Sequence, residues 1–163
     1  MRTFVACVAA LAVSAGTAAA ALPRNGLFVP DRSLGGISVG ETASAVQAAL
    51  GRSYGVCTAC RTTTWYFTYK RFDQHGLAVE LTRGRVSAVY TLWQPSGWHA
   101  VNGLRLGVAD GQVTTSTPPL VAVACSGYDA RVADGPTVRS VYFVAQGKLW
   151  GFGLFRRRAD PCR

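Results

Sequence analysis

The stretch RTTTWYFTYKRFDQHGLAVELTRGRVSAVYTLW, residues 61–93, decides the fold. It divides into three alternating runs. Trp65, Phe67 and Tyr69 alternate with Tyr66 and Thr68; Leu77, Val79 and Leu81 alternate with Ala78, Glu80 and Thr82; Val86, Ala88, Tyr90 and Leu92 alternate with Ser87, Val89 and Thr91. A period of two sends successive side chains to opposite faces, so each run predicts a strand with one face on a core. β-Branched and aromatic residues dominate, as a pleated, half-buried surface prefers. Arg83-Gly84 is a two-residue link of the kind tight hairpins use, with glycine free to take φ > 0. The earlier link, 72–76, is polar and looser. Val89 falls opposite Val86 and Tyr90, which predicts a central strand covered on both faces.

Upstream, Ile37 and Val39 make a short extended piece. Thr42 is a candidate N-cap for a helix over Ala43–Leu50. Val46, Ala49 and Leu50 share one helical face, and Gly51 offers a left-handed stop. At about 12 Å such a helix does not hold itself together and must pack on the sheet. Residues 52–60 form a loop carrying Cys57 and Cys60; residues 94–103 form a second loop carrying Trp98 and His99. Residues 22–34 contain Pro and Gly without periodicity and are expected to be an extended or mobile lead-in.

The opening phrase then returns. GLRLGVADGQV from Gly103 parallels GISVGETASAV from Gly36, with Gly40 and Gly107 standing 67 residues apart. Both copies are followed by cysteine and then by alternating runs, in the second copy 128–132, 138–145 and 149–155, with 146–148 as the tight link. Residues 114–119 are β-branched and contain proline, so the second helix is expected to be eroded. The expected fold is α+β: short helices packed on an antiparallel meander, in two unequal repeats (36–102 and 103–163) of one domain.

The first residues read as a leader. Arg2 is followed by an apolar run, 4–13, and then by Ala18, Ala19 and Ala20, which predicts cleavage near Ala20 and export to a secreted or extracytoplasmic location. The run is shorter than the roughly 20 residues a membrane span needs. Without the leader four cysteines remain, Cys57, Cys60, Cys125 and Cys162. An even count in an oxidising compartment implies two disulfides. Of the three pairings, Cys57–Cys60 with Cys125–Cys162 is favoured: one a local staple, the other a long loop that pins the C-terminal segment. Without Arg2, 16 basic residues face 8 acidic ones. Export argues against nucleic acid as the partner of that charge, and leaves a protein or a cell-wall polymer.

The phrase ISVGETASAVQAALG, followed by WYF and a hairpin with RGRVSAV, resembles the SmpA/OmlA (BamE)-like unit. Two such units in tandem, each with cysteines, resemble the β-lactamase-inhibitor-protein (BLIP) arrangement, and the chain also resembles exported actinobacterial proteins. The resemblance implies a helix-plus-meander fold used for contact on a sheet face or as an envelope scaffold. It transfers no binding residue.

No catalytic constellation emerges. Cys57-Thr58-Ala59-Cys60 precedes a strand rather than opening a helix, so the dipole that activates redox dithiols is missing; a thiol–disulfide oxidoreductase is the alternative function. Cys57, Cys60, His75 and His99 lack zinc-site spacing, and no metal or cofactor is expected. Ser96 and His99 are close in sequence but sit in no nucleophile-elbow motif. The expectation is a non-enzymatic exported binding or scaffold protein, with a purely structural envelope role as a third reading. Its contact residues are expected to be Tyr66, Trp93, Trp98 and His99, because exposed aromatic residues with arginine mark protein-binding surfaces.

Overall fold

The computed structural model describes residues 22–71, 73–116 and 119–163. The leader expected over residues 1–20, with its cleavage point, lies outside them. In chain order the strands are β1 (Leu27–Val29), β2 (Ser33–Leu34), β3 (Gly55–Cys57), β4 (Thr63–Thr68), β5 (Gly76–Thr82), β6 (Arg85–Leu92), β7 (His99–Ala100), β8 (Val121–Ala124), β9 (Asp129–Asp134), β10 (Val138–Ala145) and β11 (Lys148–Arg156). The helices are α1 (Ala43–Leu50) and α2 (Asp110–Ser116). Eight strands form one antiparallel sheet in the order β3-β4-β5-β6-β11-β10-β9-β8, so the strands of the second half run outward from the β6–β11 seam in reverse chain order, as those of the first half do in the other direction. A small sheet, β2-β1-β7, stands apart.

Two tight hairpins set this order. Arg83 and Gly84 have φ of 53° and 73°, and Gln146 and Gly147 have 52° and 71°. Two successive left-handed residues give the primed turn whose twist matches that of the strands it joins. Each hairpin carries one extra residue at the same place, Ser87 on β6 and Trp150 on β11. This bulge corrects the face expected for Val86. The extra residue moves Val86 to the side of Val89, and leaves Ala88 and Tyr90 on the other.

The same backbone contacts tie each helix entry to its hairpin. Gly40 N donates to Val86 O and Gly107 N to Leu149 O; Ala43 N donates to Gly84 O and Asp110 N to Gly147 O. Helix α1 has the expected bounds and cap, with Thr42 Oγ1 accepting from Ala45 N. It buries Val46 and Leu50, but Ala49, expected on that face, is exposed. Helix α2 runs further than its composition predicts. Thr114 and Thr115 return their hydroxyls to Gly111 O, which accommodates β-branched residues in a last turn. Asp110 anchors its start to β9 through two bonds from Arg131, Nε to Oδ1 at 3.0 Å and Nη2 to Oδ2 at 2.6 Å.

The core lies between one face of the large sheet and a layer made of α1, α2, the small sheet and the 94–103 loop. The lead-in is part of this layer: of the two expectations, extended or mobile, the extended one describes β1 and β2. Phe28 and Leu34 have no accessible surface, and Phe28 stacks on Phe152 at 5.0 Å. Trp98 fills a slot floored by glycine. A Cβ on Gly26 would fall 2.2 Å from its ring and one on Gly35 2.7 Å. Its Nε1 donates to Tyr69 Oη at 2.7 Å, so the buried indole loses no hydrogen bond.

Two outcomes follow. Trp98→Ala lowers the unfolding free energy by about 3–5 kcal/mol, whereas Trp93→Ala, on the surface, changes it by less than about 0.5 kcal/mol; guanidinium denaturation of both variants checks this. The Arg131 guanidinium holds the Asp110 carboxyl below its usual range. A depressed carboxylate stabilises above its unfolded pKa, and that contribution disappears as pH falls through the folded one. Asp110→Asn is therefore less stable than the parent at neutral pH, and the gap narrows in urea titrations taken progressively below about pH 4.

Candidate functional site

The second face of the large sheet carries its own apolar patch. Ala78, Ala88, Tyr90, Val141, Phe143 and Phe155 are buried there, with Tyr66, Tyr128 and Trp150 partly covered. Gly153 makes the arrangement possible. It pairs with Tyr90 across the β6–β11 seam, and a Cβ there would lie 2.4 Å from the Phe155 ring. The missing side chain lets Phe155 fold back against Tyr90, the rings parallel to within 8° at 5.9 Å.

Among the described residues, the segment after β11 is what crosses this face. It turns at residues 157–159, lays Ala159 on the patch and is tied down by the Cys125–Cys162 disulfide. The next residue, Arg163, points its guanidinium at Glu80. Nε donates to Oε1, and Nη2 to Oε2 at 3.1 Å. The same group lies 4.8 Å above the Phe155 ring centroid, and Nη1 donates to the carbonyls of Asp160 and Cys162. Glu80 is the one charged residue among those described that is buried. Burial first, and then the charge of Glu80, push the Tyr90 hydroxyl far above the usual tyrosine range, so it stays protonated.

Beside this pair runs an open groove of about 590 Å³. Tyr66, Thr64 and Ser87 line its floor, and Arg61, Arg156 and Arg158 stand on its rim. Arg61 reaches Asp160 at only 3.7 Å with a largely exposed side chain, a pairing of little energetic weight. Further along, Trp93 is 55% exposed and meets Trp150 edge-on at 6.1 Å, and Trp150 stacks on Tyr128. Trp93 and Gln94 have φ of 49° and 50°. Two consecutive non-glycine residues in the left-handed region cost about 1 kcal/mol each and keep Trp93 turned outward.

The expected contact residues are therefore split. Tyr66 and Trp93 belong to the second face. Trp98 does not: it is 1% exposed and serves as core, because the glycine slot and the Tyr69 hydroxyl satisfy both its ring and its N–H. His99 sits half-buried on β7 in the covering layer, its Nδ1 3.2 Å from Gly97 O. Glu80, Tyr90, Phe155 and Arg163 escaped the sequence reading. The available signal was the lone acid inside the apolar run LAVEL.

Both disulfides have the favoured pairing. Cys57 ends β3, and the chain bends from it into β4 without opening a helix. Among the described residues no cluster of His, Cys, Asp or Glu is placed to hold a metal, and no helix is long and apolar enough to cross a membrane. A smaller groove joins Asp73, His75 and Ser96. Asp73 Oδ1 lies 2.9 Å from both His75 N and Nδ1, and those bonds hold its carboxyl below the usual range.

The fold defines an α+β protein built on one eight-stranded antiparallel sheet. Among solved structures it is similar to an extracellular protein containing an SCP domain from Bacillus anthracis, at TM-score 0.51 and 9% identity over 72% of this chain and 44% of that one. It is also similar to a cysteine-rich secretory protein from Staphylococcus aureus, at TM-score 0.50 and 14% identity over 84% and 47%. The chain thus spans less than half the length of either protein, and at these identities the likeness is one of fold. No family model matches the chain, and no curated protein matches its sequence. The expected kinship with SmpA/OmlA (BamE)-like units and the BLIP arrangement is corrected by these neighbours. The phrase behind it is short, and any capped helix leading into a meander would reproduce it.

A double-mutant cycle on the Glu80–Arg163 pair reads its strength. Arg163→Ala strands a buried carboxylate and costs about 3–5 kcal/mol. Glu80→Ala leaves a cation that can still reach water and costs about 1–3 kcal/mol. The double variant is more stable than the sum of the two losses implies, by a coupling of at least about 1 kcal/mol in urea unfolding.

Proposed function

We propose that this chain is an exported, non-enzymatic binding module that engages a protein partner on the second face of its sheet. One observation carries the reading: an open groove lined by Tyr66 and Tyr90 together with Arg61, Arg156 and Arg158, on the same face of the sheet as Trp150, which the exposed Trp93 meets. Aromatic and arginine side chains together are what protein interfaces concentrate at their energetic centres. Arg156 and Arg158 are exposed, and the excess of basic over acidic residues favours an acidic partner. The leader pattern and two disulfides support export to an oxidising compartment.

Catalysis by the Cys57–Cys60 pair is the reading set aside. A strand end supplies no dipole to depress a thiol pKa, and Cys57–Cys60 staples the turn between two strands. The recurrent helix-entry contacts and matched bulges support two unequal repeats, with contact rather than chemistry as the use of the rigid sheet.

The test is capture of partners from culture supernatant and envelope extract. An acidic protein is recovered with the parent chain, and Arg156→Ala/Arg158→Ala weakens its binding about tenfold at low salt, with a shallower salt dependence. Trp93→Ala weakens it as well. Loss of neither, or recovery of an anionic wall polymer in place of a protein, rejects the reading.

A further inference from the structure

Glu80 is out of place for its surroundings. It lies between Ala78, Ala88 and Tyr90, where the face's apolar patch meets the polar groove floor of Thr64 and Ser87. The other hairpin has the same bulge at the same step, and there the matching residue is Phe143. The hairpin therefore needs no acid at this position. Burying a carboxylate carries a large desolvation cost unless a cation with matching geometry meets it.

What surrounds Glu80 defines that cation. Two carboxylate oxygens face the same side, and the parallel rings of Tyr90 and Phe155 supply flat π surfaces beside them. A planar guanidinium satisfies all three at once, donating from two nitrogens while stacking on a ring. An ammonium presents only a point charge and uses the box poorly. Arg163 shows the fit directly: both Glu80 oxygens are engaged, the guanidinium lies 4.8 Å over Phe155 and 6.0 Å from Tyr90.

The occupant comes from an irregular segment. No strand or helix follows Arg156 among the described residues. Arg163 is tethered by the neighbouring Cys162 disulfide and by Tyr128 Oη, which meets both its backbone N and O. The side chain can leave while Cys162 stays bonded, and the emptied box then opens into the groove, since Glu80, Tyr90 and Arg163 all line it.

We propose that Glu80, Tyr90 and Phe155 form a receptor for the arginine side chain of a partner polypeptide, and that Arg163 is an internal occupant exchanged on binding. The tether keeps the internal guanidinium at an effective concentration of order mM, so free arginine does not open the box at ordinary levels. A partner succeeds when its other residues also hold the groove. The box is independent of the Arg156–Arg158 rim: either can fail while the other binds, and the rim variants leave the box intact.

The test uses the full chain with the acetylated, amidated tripeptide Gly-Arg-Gly and its Gly-Lys-Gly counterpart, followed by the aromatic ring resonances of Tyr90 and Phe155. Arg163→Gln binds the arginine peptide at least about tenfold more tightly than the parent, and the lysine peptide at least about fivefold more weakly than the arginine one. Glu80→Gln added to that variant abolishes binding. Equal affinity in parent and Arg163→Gln, or unchanged binding after Glu80→Gln, overturns the proposal. If Arg163→Gln does not fold, Arg163→Lys, which keeps the charge, gives the same reading. In the parent, arginine peptide raised well above the roughly mM effective concentration of the tether must then release the Arg163 Nε–H resonance from its bound position; a signal that stays put there also overturns it.

Discussion

The seam between β6 and β11 is the constraint on which the structure depends. Tyr90 pairs with Gly153, Leu154 with Val89 and Phe155 with Ala88. Thr91 Oγ1 adds a side-chain link, accepting from Phe152 N at 3.0 Å. Without this contact there would be two four-stranded sheets, each leaving one edge of its longest strand unpaired. With it, a continuous sheet has one face for the covering layer and one for the patch around Phe155. Glycine at 151 and 153 is what the close approach requires: a Cβ at 151 would fall 2.6 Å from Thr91 Oγ1, and one at 153 would strike Phe155.

The two faces are finished by different means. The first is sealed by secondary structure and by Trp98, a large rigid ring in a slot without side chains. The second is finished by a short irregular segment held through one disulfide, the Glu80–Arg163 pair and hydrogen bonds from Arg139 and Tyr128. A cross-link closing 37 residues contributes about 4 kcal/mol in the chain-entropy picture. That is enough to keep the segment in place without any strand pairing of its own. The result is a face that is covered but not built over.

Much of this was readable in the residues. The alternation over residues 61–93, the Thr42 cap and the Arg83-Gly84 turn are local signals, and local signals report local structure. The burial of residues within 22–34 and of Trp98 was missed because it depends on partners far away in sequence. Phe28 has no periodic neighbours, yet Phe152 and Tyr142 cover it. The slot for Trp98 is made by Gly26 and Gly35, which in sequence read only as loop. The short edge strands β3 and β8 had too few residues to show a period. Helix α2 was underestimated because β-branched propensity is a weak prior beside the backbone contacts that fix its entry. At the candidate site, Tyr66 and Trp93 came from alternation and position. The Glu80–Arg163 pair, 83 residues apart, could not come from either.

The reversed strand order also bears on how the chain assembles. Each hairpin closes over a few residues and forms early, while the seam joins strands whose paired residues lie 63 to 67 apart and β1 waits for β7. When the amino-terminal half emerges first, β6 is a long, apolar edge strand paired on one side with β5 and open on the other. Such an edge invites pairing with other chains until β11 arrives to occupy it. The interval between the two is the period in which nascent copies are most exposed to aggregation.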